Sequence, residues 1–314
     1  MDGQQFSESP NPIVLYKPKN QIQQVILHGG LGNQLFQWSY GHQLAFKGHD
    51  VRFSFYKRPN ILNHTSTSLG EFLPNCSHCS FTEIELPKSR IGRVLLDPLH
   101  KRNVFSKAWG EVLDTSSNPF THSLPGPSRK KRIHFGYFQA FESPMAAEEV
   151  LLKELWKTLE GRVRNPLEME LEGAEVIHVR QGDTLTKSNM KKVGVLSSEY
   201  YSQIPRLSLK RRIILTDDVK GASKVLPQVH IDDIYGPSDL NVYQTLGVMA
   251  RAHSLYTANS TLSWWGGFLA RSRGAQVYIP HPFFREYSPD PELSFAYPGF
   301  QLLNARFMEV SDLK

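Results

Sequence analysis

The chain has 314 residues, of which 40% are hydrophobic and 21% are charged, with 36 Lys and Arg residues against 30 Asp and Glu. This composition is typical of a folded protein with one or two domains and excludes a largely disordered chain. The formal net charge of +6 is mild for this length, so it suits an anionic small molecule without indicating nucleic-acid binding. The two cysteines exclude a disulfide scaffold and make a reducing compartment the default expectation.

Membrane and targeting segments are not expected. No stretch approaches the run of about 18 apolar residues that a spanning helix needs. Residues 1–21 lack the pattern of a signal peptide and predict a flexible leader. These observations favour a cytoplasmic protein. The basic run at residues 129–132 is expected to be a solvated edge, with peripheral contact to an anionic inner membrane as the functional alternative.

The N-terminal part begins with a strand–loop–helix–strand unit. A short apolar strand at 24–27 is followed by a glycine-rich loop at 28–33, a helix at 34–47 and an alternating strand at 51–55. This order is typical of the start of a doubly wound α/β domain. Residues 57–131 carry many Pro, Ser, Asn and Gly residues and predict loops and short helices.

Further along, a strand is expected at 132–138, and a helix at 144–159 with Ser143 as its N-cap. A second alternating series then predicts strands at 175–179, 212–216, 255–257 and 276–279, and helices at 198–207, 239–252 and 262–271. The pattern predicts an α/β protein with two Rossmann-like domains. We therefore divide the chain into a leader (1–21), an N-terminal domain (22–161) and a C-terminal domain (162–314).

The loop Gly29-Gly30-Leu31-Gly32-Asn33 lies where a predicted strand leads into a helix. Glycines at such a place let backbone amides approach a ligand, and the start of a helix favours negative charge. The spacing is not that of a dinucleotide fingerprint. A tight turn with no ligand is the alternative for this loop.

The motif His178-Val179-Arg180-Gln181-Gly182-Asp183 ends a predicted parallel strand, where ligands bind in open α/β sheets. The planar fork of Arg180 suits a phosphate, and alternation places His178 on the same face. Asp183 is positioned to orient Arg180, or to act with His178 as a base and its orienter. An exposed Arg–Asp pair is the alternative.

A third segment, Ser260 to Gly267, again joins a predicted strand to a helix. The hydroxyls of Ser260, Thr261 and Ser263 and the first helical amides suit a phosphate. Helix capping, with the adjacent tryptophans in the core, is the alternative. Asp217-Asp218 follows another strand and indicates either a metal or ribose site or a simple helix cap.

Four motifs together carry a specific resemblance. They are Gly-Gly-Leu-Gly-Asn-Gln (29–34), His-Val-Arg-x-Gly-Asp (178–183), Thr-Asp-Asp (216–218) and Ser-Thr-x-Ser-Trp-Trp-Gly (260–266). In this order the chain, from about Val25 to Pro280, resembles the α-1,2-fucosyltransferases of glycosyltransferase family 11. The resemblance implies a GT-B fold, with two Rossmann-like domains facing across a cleft. It also implies a GDP-fucose donor, a galactose-terminated acceptor, inversion at the anomeric carbon and no required metal.

The resemblance also implies roles for single residues on the donor side. Arg180 looks like the arginine that holds the β-phosphate of the donor. Thr261 and Ser263 look like contacts to the pyrophosphate. Asp217 and Asp218 correspond to the second shared motif, whose role is less certain.

On the other side of the cleft, Gly30, Gly32 and Asn33 look like the loop that lines it in related fucosyltransferases. The base that deprotonates the acceptor hydroxyl is not identified by any motif. Asp183 and His28 are candidates by position.

One residue in these motifs departs from the family pattern. The family pattern has Arg-Arg where this chain has Arg180-Gln181. The lost charge leaves open a weak or inactive GDP-sugar- or glycan-binding protein. Among enzymes, the alternative is a GDP-sugar transferase that makes another linkage. The pair Cys76 and Cys79 with His78 lacks a second half-site, so ordinary thiols are favoured over zinc. The aromatic residues at 283–297 suit either an acceptor groove or the core.

Overall fold

The structure is a computed structural model that describes residues 22–56, 69–73, 80–84, 111–114, 131–182, 185–206, 208–226, 230–286 and 295–309. The predicted leader, the pair Cys76 and Cys79, and residues 129 and 130 of the basic run lie outside these ranges. The candidate base Asp183 also lies outside them.

The strands are β1 (Ile22–Leu27), β2 (Asp50–Tyr56), β3 (Ser80–Ile84), β4 (Glu111–Asp114), β5 (Arg132–Phe135), β6 (Glu175–Val179), β7 (Arg212–Thr216), β8 (Asp233–Tyr235), β9 (Ser254–Tyr256), β10 (Gln276–His281) and β11 (Gln301–Asn304). The helices are α1 (Leu31–Phe46), α2 (Leu69–Phe72), α3 (Glu142–Ala146), α4 (Glu148–Gly161), α5 (Pro166–Glu170), α6 (Lys187–Lys192), α7 (Ser198–Tyr201), α8 (Val219–Val225), α9 (Val242–Ala250) and α10 (Thr261–Ser272). None of these helices has the length and apolar character that crossing a membrane requires.

The first sheet has five parallel strands in the order β3-β2-β1-β5-β4. The order reverses between β1 and β5, so this pair forms a topological switch point. Ligands of open α/β sheets bind at the carboxyl ends of strands at such a point. The glycine-rich loop follows β1, and residues 136–140 follow β5, so both segments lie at this edge.

The second sheet has six parallel strands in the order β8-β7-β6-β9-β10-β11. Counted from β6, this is the 3-2-1-4-5-6 order of the Rossmann fold. Its switch point lies between β6, which leads into Arg180, and β9, which leads into Ser260. Two Rossmann-like parallel sheets confirm the predicted α/β fold of the GT-B type.

A single aromatic core joins the two halves. The ring of Phe36 on α1 lies 4.8 Å from Trp264 and 5.2 Å from Trp265, both on α10. Phe295 packs on the same ring at 5.9 Å, and all four side chains are buried. The two tryptophans therefore lie in the core. This agrees with the alternative interpretation of their segment, which combined helix capping with tryptophans in the core.

Helix α4 packs on elements of the C-terminal half. Its Trp156 donates a hydrogen bond to Ser272 Oγ at 3.0 Å. The guanidinium groups of Arg251 and Arg273 lie over the Trp156 ring, 5.4 and 4.4 Å from its centre. These contacts join residues on either side of residue 162, where the sequence predicts the boundary between two domains. They do not locate that boundary, which stays a prediction.

Several predicted elements differ from the observed ones. The strand expected at 132–138 ends at Phe135, and it cannot extend through Phe138, which adopts a left-handed backbone conformation with φ of 51°. The helix expected at 144–159 is two helices with a break at Ala147. Ser143 is not an N-cap, since it lies inside α3 and donates to Gln43 Oε1 at 3.0 Å.

The aromatic residues at 283–297 that the structure describes are buried in the core rather than arranged as an open groove: they are Phe283, Phe284, Phe295 and Tyr297. Their rings pack on one another, with the centres of Phe283 and Phe295 3.9 Å apart. This outcome favours the packing alternative over an acceptor groove for these side chains.

Candidate functional site

The switch points of the two sheets meet at Asn33. Its Oδ1 accepts a hydrogen bond from Thr261 Oγ1 at 2.9 Å and another from Gln139 Nε2 at 2.8 Å. Asn33 belongs to the first turn of α1, Thr261 begins α10, and Gln139 follows β5. One amide oxygen thus connects the carboxyl ends of the central strands of both sheets.

The glycines of the loop serve different purposes. A Cβ atom at Gly32 would overlap the backbone nitrogen of Leu262 and lie 2.5 Å from the carbonyl carbon of Thr261. Gly32 is therefore required for the close contact between the first turns of α1 and α10. Gly29 has a φ of +75°, which fits the tight-turn interpretation. A Cβ at Gly30 would meet no atom within 4 Å, so this residue borders open space.

Both helices that meet here begin without a side-chain cap. The N-cap residues are Gly30 for α1 and Ser260 for α10, and neither helix has a side-chain hydrogen bond to its first turn. The first backbone N–H groups of a helix have no intrahelical partner and carry a partial positive charge. Two such ends side by side form an environment that favours an anion, and phosphate is the usual one.

Arg180 extends from the end of β6 at this edge. Its Nε pairs with Asp217 Oδ2 at 3.0 Å, and the side chain is 31% exposed. The other oxygen of Asp217 accepts from the backbone N–H of Gln181 at 2.8 Å. Asp217 therefore restrains the Arg180 side chain through its Nε while solvent still reaches the guanidinium group. The sequence placed an acidic partner at Asp183, whereas the partner seen among the described residues is Asp217.

His178 precedes Arg180 by two residues on β6 and is buried. Its Nδ1 is enclosed without a hydrogen-bond partner among the described residues. Desolvation lowers the pKa of His178 to about 4, with Asp217 opposing the shift and Arg180 adding to it. The ring is therefore neutral at pH 7 and adds no charge to the site.

We expect the free energy of unfolding to fall as the pH is lowered from 6.5, the ordinary pKa of histidine, to about 4. In this window the unfolded state takes up a proton that the folded state excludes, so stability is lost on acidification. Denaturant unfolding at several pH values would show a shallower pH slope for His178→Gln than for the parent chain. Buried His134, whose pKa is lowered to about 3 chiefly by desolvation, contributes equally to both proteins. Identical slopes would contradict this prediction.

His28, a candidate base, is buried beside β5. Its Nε2 lies 3.1 Å from the carbonyl oxygen of Gly136, and its ring stacks on Phe135 at 4.5 Å. A carbonyl oxygen only accepts, so Nε2 carries the proton in the neutral ring. Any basic function would then belong to Nδ1, and the role of His28 in catalysis stays a prediction.

Ser263 and Asp218 are two further residues that the sequence predicted for the site. Ser263 is fully buried, and its Oγ accepts from the backbone N–H of Ala258 at 3.1 Å, which closes the loop before α10. Asp218 begins α8, but its side chain does not cap that helix. Across the residues that the structure describes, no three His, Cys, Asp or Glu side chains are grouped to hold a metal ion.

Sequence reasoning missed Gln139 as part of this site. The segment 132–138 was predicted as a strand, and nothing in its pattern indicated that Phe138 turns the chain. Phe138 has a left-handed conformation, and the next residue, Gln139, donates to Asn33. A glutamine next to an aromatic residue carries no sequence signal for such a contact.

Two uncapped helix starts at the switch points of two Rossmann-like sheets suit the phosphate groups of a nucleotide ligand. Residues 71–287 match the sequence profile of Glycosyl transferase family 11. Because the match covers more than half of the chain, this protein belongs to that family and is a glycosyltransferase. Membership of the family implies a nucleotide-sugar donor and a glycan acceptor.

Similar proteins include the Alpha-1,2-colitosyltransferase of Escherichia coli, which is 22% identical over 293 residues, covering 85% of this chain and 95% of that protein. Among solved structures, a glycosyl transferase of family 9 from Veillonella parvula has a TM-score of 0.46 at 9% identity, covering 95% of this chain and 90% of that chain. A mutant of Arabidopsis thaliana FUT1 in complex with GDP has a TM-score of 0.42 at 12% identity, covering 90% and 76%.

Proposed function

We propose that this protein transfers fucose from GDP-fucose to the 2-hydroxyl of a terminal galactose on an oligosaccharide or lipid-linked glycan, with inversion and without a metal. The observation that carries this proposal is the hydrogen bond between Asn33 and Thr261, which joins two uncapped helix ends at the switch points of both sheets. Arg180 follows β6, the strand that neighbours β9 at the second of these switch points. The resemblance of four motifs to the α-1,2-fucosyltransferases of family 11 supplies the donor, acceptor and linkage.

The chemistry explains why a fixed cation is useful at this place. The acceptor oxygen attacks the anomeric carbon while the bond from that carbon to the β-phosphate oxygen breaks, and GDP departs with the bonding electrons. Negative charge grows on the phosphate in the transition state, so Arg180 and the helix amides stabilise it more than the ground state. This stabilisation does the work that a metal performs elsewhere.

The acceptor proton must leave during the attack on the anomeric carbon. His28 and Asp183 are the proposed bases, and the departing phosphate is an alternative proton acceptor late in the reaction. Asp217 is an unsuitable candidate, because one of its oxygens pairs with Arg180 and the other with the backbone N–H of Gln181.

A second donor is favoured by one specific observation. A protein that is similar over most of this chain is named an alpha-1,2-colitosyltransferase. Colitose lacks the 3-hydroxyl of fucose. A site that hydrogen-bonds this hydroxyl would discriminate strongly against colitose, because its polar groups would be left unpaired. The relative rates of transfer from GDP-fucose and from GDP-colitose therefore decide which of the two is the donor.

The proposal is tested by incubating the protein with GDP-fucose or GDP-colitose in EDTA, with lactose, N-acetyllactosamine or galactosyl-N-acetylgalactosamine as acceptor. A 2-deoxygalactoside is the matched control, because it lacks only the accepting hydroxyl. We expect turnover with one donor and none with the control acceptor. Calorimetric titration with GDP identifies the alternative functions. Binding without any turnover would support the binding-protein alternative that Gln181 suggests, and absence of binding would contradict both.

A further inference from the structure

Gln139 lies in a tight turn that follows Phe138, a residue with a strained backbone. Phe138 has a φ of 51°, a conformation that is rare for a bulky residue and costs energy. Its buried ring stacks on Tyr40, with 4.0 Å between ring centres, which holds the turn in place. The backbone N–H of Ala140 donates to the carbonyl of Phe138 at 2.9 Å, so Gln139 is the central residue of a three-residue turn.

The turn directs Gln139 to one side of the Asn33 amide. Asn33 Oδ1 accepts from Gln139 and from Thr261, which fixes the direction in which the amide points. The Nδ2 group lies on the opposite side, 2.7 Å from where a Cβ of Gly29 would be, so glycine leaves room for it. Within the part of the chain that the structure describes, Asn33 Nδ2 has no hydrogen-bond acceptor.

We propose that Gln139 is a positioning residue for the transfer reaction, and that it holds Asn33 so that Nδ2 donates a hydrogen bond to a ligand oxygen. This inference rests on the proposed function. The oxygen belongs either to the donor, as a phosphate or sugar oxygen, or to a hydroxyl of the acceptor. If Gln139 is lost, the Asn33 amide can rotate and present an acceptor instead of two donors, while Asn33 itself remains in place.

The test is a double-mutant cycle with Gln139→Met, Asn33→Ala and the combined variant. Methionine matches the length of glutamine but makes no such hydrogen bond. We expect Gln139→Met to lower kcat/KM about tenfold, as the loss of one hydrogen bond implies. In the Asn33→Ala background it should cause no further loss. A KM increase confined to the donor assigns the oxygen to the donor, and one confined to the acceptor assigns it to the acceptor.

The matched control is Gln203→Met. Gln203 also bridges distant segments, donating to the carbonyl of Asn304 at 2.8 Å, but it is exposed and lies in the turn that follows α7. We expect its kcat/KM to equal that of the parent chain.

Thermal unfolding of the same variants tests the contact without requiring turnover. The shifts of the midpoint for Gln139→Met and Asn33→Ala should not add in the combined variant. Additive shifts, or an equal loss of kcat/KM in both backgrounds, would overturn the inference. If the parent chain turns over no GDP-sugar, the proposed function fails. The unfolding cycle and GDP titrations of the variants then decide the inference alone.

Discussion

Replacing Arg180 with alanine is expected to lower kcat/KM by about 10²–10³-fold, the usual cost of removing one group that stabilises a developing oxyanion. Arg180 follows β6 at the switch point of the second sheet, where Asp217 pairs with its Nε. Steady-state kinetics with the donor that is turned over would measure the loss. Calorimetry with GDP should show weaker binding as well.

The fold of the Arg180→Ala variant should remain intact. Arg180 and Asp217 are 31% and 21% exposed, and pairs of this kind contribute little to stability. Arg211→Ala is the matched control, because Arg211 pairs with Glu170 and Asp233 at the opposite end of β7. We expect the control to keep normal kcat/KM. Near-normal turnover by Arg180→Ala, or an equal loss in both variants, would contradict the phosphate role of Arg180.

Replacing Gly32 with alanine is expected to destabilise the fold by about 1–3 kcal/mol, the range for a methyl group forced into a packed site. The added Cβ meets backbone atoms of Thr261 and Leu262, which cannot rotate away as a side chain can. The first turns of α1 and α10 must therefore separate. Activity should fall together with stability, since the separation breaks the bond between Asn33 and Thr261.

The matched control for Gly32 is two residues earlier in the same loop. A Cβ at Gly30 meets no atom within 4 Å, and its φ of −72° suits any residue. Gly30→Ala should therefore unfold at the same denaturant concentration as the parent chain, whatever it does to ligand binding. Equal midpoints for the two variants in denaturant unfolding would show that the contact between α1 and α10 is not required.

The central strands of the second sheet were predictable because they are buried on both faces. Strands β6 and β7 are buried along their whole length, and the β-branched and apolar residues at 176–177, 179 and 213–215 indicate this. By contrast, β8 has three half-buried residues, and β11 is a mostly exposed edge strand. Neither has enough apolar pattern to separate it from a loop. Pairing with the neighbouring strands β7 and β10, rather than burial of their own side chains, keeps β8 and β11 in the sheet.

The site was predictable in its parts but not in its assembly. Glycine-rich loops and an arginine at strand ends indicated anion binding from residue type and position alone. The contact of Asn33 with Thr261 joins residues 228 positions apart, which no local pattern encodes. The partner of Arg180 was also out of reach, because Asp217 comes from the neighbouring strand β7 through the parallel register.

The most direct test of the account is the structure of the product formed in EDTA from lactose and whichever GDP-sugar is turned over. Nuclear magnetic resonance of the purified trisaccharide gives both the anomeric configuration and the substituted hydroxyl. We expect a single product, α-linked to the 2-hydroxyl of galactose, since inversion of a β-linked donor gives an α-glycoside. A β-linked product, substitution at another hydroxyl, or a strict requirement for a divalent metal would contradict it.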